Sequence, residues 1–193
     1  MDKQRAFADL DGRVALVTGC GSPDGIGFAT ARLLGRQGAK VAITSTTERI
    51  QERVAELGDE GITASGHVAD LTDADEAARV VAETVEIHGG LNILVNNAGM
   101  SQVGTEDLGR PFRELSPEEW QAGIDQNLNL TANVTRAALA DITRAEGGRI
   151  VFVTSVTGPV VSAPGNPSYS AAKAGLDGLM RALAIELGPG GTT

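Results

Sequence analysis

The stretch Val14-Ala15-Leu16-Val17-Thr18-Gly19-Cys20-Gly21-Ser22-Pro23-Asp24-Gly25-Ile26-Gly27 decides the fold of this chain. Its first part is a short apolar, β-rich run. Its second part is glycine-rich and opens a segment with helical spacing at Ile26, Thr30, Leu33 and Leu34. Near-continuous apolar character, rather than alternation, is what a parallel strand covered on both faces requires. Glycines let the backbone turn tightly and approach a pyrophosphate, while the free N–H groups and dipole at a helix start attract its charge. A glycine-rich stretch by itself reads equally well as a turn. After a strand and before a helix, it points to a dinucleotide-binding loop.

Working outward, four more apolar, β-rich runs occur at residues 41–44, 62–68, 91–95 and 150–154, joining the one at 14–18. Helical spacing recurs between them, as at Ile50, Val54 and Leu57. A third helix is expected from Thr72, whose hydroxyl can cap it, with Asp73, Asp75 and Glu76 in the first turn where the helix dipole favours anions. Ser116, Pro117 and Glu119 supply an N-cap, a first-turn proline and a reciprocal carboxylate, the capping-box arrangement of a fourth helix. A fifth is expected over residues 168–187, ending before Gly188, Pro189 and Gly190. Strands alternating with helices of this length give right-handed crossovers and a doubly wound parallel sheet of the Rossmann type, three layers deep (α/β/α). With 193 residues the chain fits one dinucleotide-binding domain over 1–193. The segment 99–115 is long for a connection in such a fold, and long loops are often functional.

Composition narrows the partners. Hydrophobic residues at 41% and charged residues at 21% belong to a globular chain, not a disordered one. A formal net charge of −9 repels a phosphate backbone, and no basic cluster with interleaved aromatics offers an exception, so nucleic acid is excluded as a partner. Charges at Asp2, Lys3, Arg5, Asp9, Asp11 and Arg13 break up any secretory apolar run, and nothing approaches the ~20 apolar residues of a membrane span. No membrane association and a cytoplasmic location are therefore expected. Cys20 is the only cysteine, and His67 and His88 are too few and too far apart in the chain to suggest a ligand pair, so no metal is expected.

Two further segments bear on chemistry. Asn96-Asn97-Ala98-Gly99 directly follows the fourth strand, at the end where ligands bind in doubly wound sheets, although a polar turn reads the same way. Tyr169-Ser170-Ala171-Ala172-Lys173 lies on the fifth helix. Residues four apart share a helical face, so the ammonium can sit near the phenol, and a neighbouring cation favours a phenolate. Taken alone, Tyr-x-x-x-Lys is more often an ordinary helix face.

These segments in this order, with Ser155 upstream of the tyrosine, resemble the short-chain dehydrogenase/reductase family over nearly the whole chain. Asn127, in Asp125-Gln126-Asn127-Leu128, matches that family's helix asparagine. The resemblance implies an NAD(P)-dependent oxidoreductase that interconverts a ketone and a secondary alcohol. It assigns Tyr169 as general acid for carbonyl reduction and base in reverse, and Lys173 to ease its deprotonation and bind the nicotinamide ribose. Ser155 would hydrogen-bond the substrate oxygen, and Asn127 would hold a water of the proton relay. For the cofactor it implies Thr18, Gly19, Gly25, Ile26 and Gly27 in the loop, with Ser22 or shifted N–H groups at the phosphates. It further implies Ser45 and Thr46 at the ribose, Asp70 and Leu71 at the adenine, and Asn97, Ala98 and Gly99 along the centre.

The chain departs from the family pattern in three places. Five residues separate Gly19 from Gly25 where the family has three, with Ser22-Pro23 as the apparent insertion. The end of the second strand, Thr44-Ser45-Thr46-Thr47, lacks the carboxylate that selects NAD, and Arg49 lies nearby. NADP(H) is therefore favoured and NAD(H) possible, the usual arginine being absent too. After Gly188-Pro189-Gly190-Gly191-Thr192-Thr193 the family continues into a sixth strand, a substrate-covering segment and a seventh strand, so the C-terminal strands are missing from the pattern and the strand at 150–154 is expected to have an open edge. Likeness to 3-oxoacyl carrier-protein reductases makes a 3-oxoacyl thioester the suggested substrate, and family habit suggests a homodimer or homotetramer. Two other readings stand beside this one: a catalytically silent dinucleotide-binding module, and an enzyme of sugar-nucleotide epimerisation or dehydration. The Asn-Asn-Ala-Gly element and the short chain disfavour the latter.

Overall fold

Five parallel strands form one sheet in the order β3-β2-β1-β4-β5 in the computed structural model, which describes residues 9–99 and 110–193. They are β1 (Val14–Val17), β2 (Lys40–Ser45), β3 (Ala64–Val68), β4 (Ile93–Asn96) and β5 (Arg149–Phe152). Each falls on a run expected from the sequence. Register places Leu16 opposite Ala42 on one side and Leu94 on the other. The central strands are buried on both faces, as their unbroken apolar character demands. Ala15, Val17, Val41 and Ile43 face one core with Phe28, Ile50 and Leu57; Leu16, Ala42 and Leu94 face a second with Val80, Val81, Val134 and Ile142. The fold is thus a Rossmann-like α/β arrangement. Most of the 99–115 segment singled out above lies outside the described residues.

The helices follow the expected order, with two corrections. In α1 (Ile26–Arg36) the buried residues are Gly27, Phe28 and Ala31, whereas Ile26 is 62% and Leu33 46% exposed. Of the spacing at Ile26, Thr30, Leu33 and Leu34, only Leu34 packs on the core, and Phe28 and Ala31 supply the fully buried stripe. That stripe combines one large ring with small residues, which lets the helix approach the strands closely. In α3 (Ala74–His88) the N-cap is Asp73, whose carboxylate accepts from the backbone N–H groups of Asp75 (2.8 Å) and Glu76 (3.4 Å). Thr72 lies one residue before this cap, and its hydroxyl donates to the Asp70 carboxylate at 2.7 Å. In α2 (Ile50–Asp59), Ile50 and Leu57 are buried as expected, and Arg53 joins them by laying its guanidinium over the Phe28 ring.

The capping box of Ser116 and Glu119 starts α4 (Pro117–Ile124) as the sequence predicts. A π-helical turn, Asp125–Asn129, joins it to α5 (Leu130–Arg144), making one long helical run of the predicted fourth helix. The fifth predicted helix is α6 (Pro167–Leu187), which packs on α4 and the π turn. Edge strand β5 is not wholly open. The Ile150 N–H donates to the Thr193 carbonyl at 2.9 Å, and the Thr193 N–H donates to the Gly148 carbonyl at 3.2 Å. Among the described residues, no helix is long and apolar enough to cross a membrane.

Candidate active site

The turns that follow β1 and β4 are tied together at the carboxyl ends of the two strands. Buried Thr18 accepts at its hydroxyl from the backbone N–H groups of Asn97 and Ala98, both at 3.0 Å. The Asn97 amide returns the connection by donating to the carbonyls of Thr18 (2.9 Å) and Gly19 (3.1 Å). This closeness leaves no room for a side chain at Gly19, where φ is +73° and a Cβ would lie 2.8 Å from the Ala98 Cα. At Gly27 a Cβ would meet the Asn97 amide nitrogen at 2.5 Å. Thr18 and Gly27 therefore brace the loop from behind and do not line the space in front of it.

In front lies a cleft of about 520 Å³. Gly19, Ser22, Gly25 and Ile26 border it from the first loop, Ser45 and Thr46 from the end of β2, Asp70 and Leu71 from the end of β3, and Asn97, Ala98 and Gly99 from the end of β4. The Ser22-Pro23 insertion makes a turn in which the Gly25 N–H donates to the Ser22 carbonyl at 3.2 Å. Gly25 is the N-cap of α1 and no side chain caps that helix, which leaves its first-turn N–H groups facing the loop for an anion. The Asp70 carboxylate is held by the Thr72 N–H (3.0 Å) and hydroxyl, and the Asn133 amide fixes the same bend through the carbonyls of Leu71 and Thr72. Ser45 spends its hydroxyl on the Thr47 carbonyl at 2.7 Å.

Several lining residues escaped the sequence reading of the site: Gly21, Arg49, Ala122, Asp125 and Gln126 among them. Arg49 enters the sequence reading only beside the hydroxyls of residues 44–47, as a group that helps accept a phosphate. Its side chain reaches across Gly21, where a Cβ would lie 2.6 Å from the guanidine Nε, and no carboxylate pairs with it among the described residues. Two glycines flanking Cys20, at 19 and 21, are the signal that could have announced this crossing. Ala122, Asp125 and Gln126 come from the helical run, and nothing local to them marks a cleft wall.

A second cavity of about 310 Å³ shares Ala122 and Gln126 with the first and is bordered by Asn127 and Tyr169. Asn127 sits buried in the π turn, its amide donating to the Gly123 carbonyl at 3.1 Å while its Oδ1 has no partner. A π turn at such a place is a common companion of functional sites, because it turns a side chain inward without ending the helix. Lys173 is buried, donates to the Val153 carbonyl at 3.1 Å and lies 5.6 Å from the centre of the Tyr169 ring. Burial lowers its pKa below the usual lysine range. Ser155, half-buried beyond β5, accepts at its hydroxyl from the Thr157 N–H at 3.0 Å. The arrangement thus places a phenol and an unpaired amide oxygen on a cavity that shares two residues with the glycine-walled cleft, with a buried ammonium beside the phenol ring.

Comparison with known proteins agrees with this geometry. The chain is 36% identical over 182 residues to the oxidoreductase UcpA of Salmonella typhimurium, covering 94% of this chain and 66% of that one. It is 41% identical over 184 residues to a Streptomyces virginiae chain named as the candidate ketoacyl reductase of the monensin polyketide synthase, covering 94% and 67%. Among solved structures, carveol dehydrogenase from Mycobacterium avium in complex with NAD superposes with a TM-score of 0.85 at 30% identity, over 95% of this chain and 68% of that one. The chain therefore spans about two thirds of the length of the relatives it matches. The family model described as short chain dehydrogenase matches residues 13–193, and the chain belongs to that family.

Proposed function

We propose that this chain, as a single dinucleotide-binding domain, carries an NAD(P)-dependent oxidoreductase activity that interconverts a ketone and a secondary alcohol. The observation that supports it most is the buried Lys173, anchored on the Val153 carbonyl beside the ring of Tyr169, which borders the second cavity. The glycine-walled cleft and the uncapped start of α1 suit a dinucleotide. When bound, its nicotinamide supplies or accepts the hydride. The loop from Gly19 to Ile26 with Ser22 would hold the pyrophosphate, Asp70 and Leu71 the adenine end, and Asn97 to Gly99 the middle. Lys173 holds the nicotinamide ribose.

The protein's own chemistry is proton transfer and orientation. Tyr169 donates a proton to the carbonyl oxygen during reduction and takes it back in the reverse direction. Ser155 hydrogen-bonds the same oxygen, and the neighbouring ammonium of Lys173 stabilises the phenolate left on Tyr169. The unpaired Oδ1 of Asn127 suits a water that renews the proton. Arg49, unpaired and reaching over Gly21 towards Ser45 and Thr46, favours the extra phosphate of NADP(H), with NAD(H) as the alternative. A 3-oxoacyl thioester is the proposed substrate class, on the likeness to the Streptomyces ketoacyl reductase. A cytoplasmic homodimer or homotetramer completes the proposal.

Changing Tyr169→Phe tests it. Turnover of a reducible ketone is expected to fall at least ~100-fold, the usual scale of general acid catalysis, while cofactor binding measured by fluorescence titration stays nearly unchanged. Retained turnover overturns the role, and binding of NADPH without reduction of any of a broad panel of ketones by the unaltered protein overturns the activity.

A further inference from the structure

At the edge of the sheet opposite β5, β3 and α3 enclose a hydrogen-bonded chain that the proposed reaction does not use. It contains both histidines of the protein, His67 and His88, at 5% and 7% exposure. The Glu83 carboxylate meets His67 Nδ1 at 2.8 Å. His67 Nε2 meets the Ser65 hydroxyl at 3.0 Å, and the same hydroxyl meets His88 Nε2 at 2.9 Å. The strand thus supplies Ser65 and His67 from one face, and the helix supplies Glu83 and His88.

The donors and acceptors of this chain can be counted. Arg79 binds both oxygens of Glu83 at 2.9 and 3.1 Å, and its guanidinium and His67 hold the carboxyl below the usual carboxylate range. Glu83 therefore accepts, and His67 carries a hydrogen on Nδ1. With His67 neutral, its bare Nε2 accepts from the Ser65 hydroxyl, whose oxygen accepts in turn from an N–H at His88 Nε2. The chain from Glu83 to His88 Nε2 closes with both rings neutral. If His67 alone is protonated, the serine hydroxyl turns to donate to His88, and the chain still closes with the other tautomer of His88. With both rings protonated the count fails. The serine oxygen can accept from both rings, but its hydrogen then has no acceptor among these groups, and two cations face each other across a single atom.

We propose that Ser65, His67 and His88 form a proton-limited clamp between β3 and α3, which accommodates one added proton and opens when acid delivers a second. The charged groups around it favour that limit on the His88 side. Lys40, on β2, places its ammonium 3.3 Å from the His88 carbonyl, whereas the carboxylates of Glu76 and Glu83 lie on the Arg79 and His67 side. Burial first, then Lys40 and His67, lowers the His88 pKa below its ordinary 6.5. The sign follows: the folded protein resists protonation of His88, so the clamp's stability is complete above pH 6.5 and drains away as pH falls below it. The clamp also reaches the end of β3, because Arg79 donates to the Val68 carbonyl at 2.8 Å.

Urea unfolding of the protein and of a His88→Gln variant across pH 5.5 to 7.5 tests the proposal. The glutamine amide keeps a donor for Ser65 and cannot be protonated. The unaltered protein is expected to lose more of its unfolding midpoint towards pH 5.5 than the variant loses, and midpoint curves that run parallel overturn the clamp. Should the variant fail to fold, proton NMR of the unaltered protein decides, since only two imidazole rings titrate. One ring titrating below 6.5, with amides of β3 losing protection over the same range, supports the clamp; both rings titrating at or above 6.5 overturn it.

Discussion

Residues in this molecule act through what crosses the space around them. Arg49 is the clearest case: its guanidinium lies over Gly21 at the edge of the cleft with no carboxylate partner among the described residues. A charge-assisted contact is worth about 1.5–3 kcal/mol, so Arg49→Ala is expected to raise the KM for NADPH by roughly tenfold to a hundredfold and to leave that for NADH nearly unchanged. A tenfold preference of the unaltered protein for NADH overturns the assignment. Cys20, in the same loop, behaves in the opposite way. Its thiol points into the protein towards the Val17 carbonyl, and burial pushes its pKa up to about 12. Because the thiolate is the reactive form, the native protein at pH 8 is expected to resist iodoacetamide and to be labelled fully once unfolded in urea. Mass spectrometry reads this directly, since the chain has one cysteine. Rapid labelling of the native state refutes the burial argument.

Elements are set by their ends, and the ends were largely legible. Ser116, Pro117 and Glu119 start α4 where the sequence places it, because a capping box is closed within four residues and needs nothing from the rest of the fold. The start of α3 was misplaced by one residue. Thr72 and Asp73 are both good caps; the fold seats the Asp73 carboxylate at the helix start and turns the Thr72 hydroxyl back to Asp70. Asp73→Ala is therefore expected to cost about 1 kcal/mol in urea denaturation, with a smaller loss for Thr72→Ala at the helix start. Equal losses would argue against the reassigned cap. The π turn that buries Asn127 was not legible: a single extra residue in a helical turn leaves no mark in spacing that already tolerates threes and fours.

Among the described residues the molecule is a parallel sheet whose middle strands are covered twice and whose outer strands are each tied down differently. β3 is held by the serine and histidine chain to α3, and β5 by the first hydrogen bonds to Thr193. This gradient has a consequence for stability. Leu94→Ala in β4 removes a fully buried side chain and is expected to cost about 2–5 kcal/mol, whereas Val151→Ala in β5, at 48% exposure, is expected to cost under ~1 kcal/mol. Chemical denaturation checks the contrast, and equal losses would show that the edge is packed as tightly as the centre.

What the sequence determined alone is whatever is local in the chain: five apolar runs, the glycine turn between β1 and α1, a capping box, and Tyr169 four residues from Lys173 on one helical face. Each is fixed by short-range sterics and hydrogen bonding, so a few neighbouring residues suffice to specify it. Tertiary structure decided what depends on surfaces meeting. It chose Phe28 and Ala31 over Ile26 and Leu33 as the buried stripe of α1, carried Arg49 across Gly21, and brought His67 and His88 onto one serine although 20 residues separate them. Periodicity tells that a helix has faces; only the packing of distant segments tells which face is covered and which side chains converge.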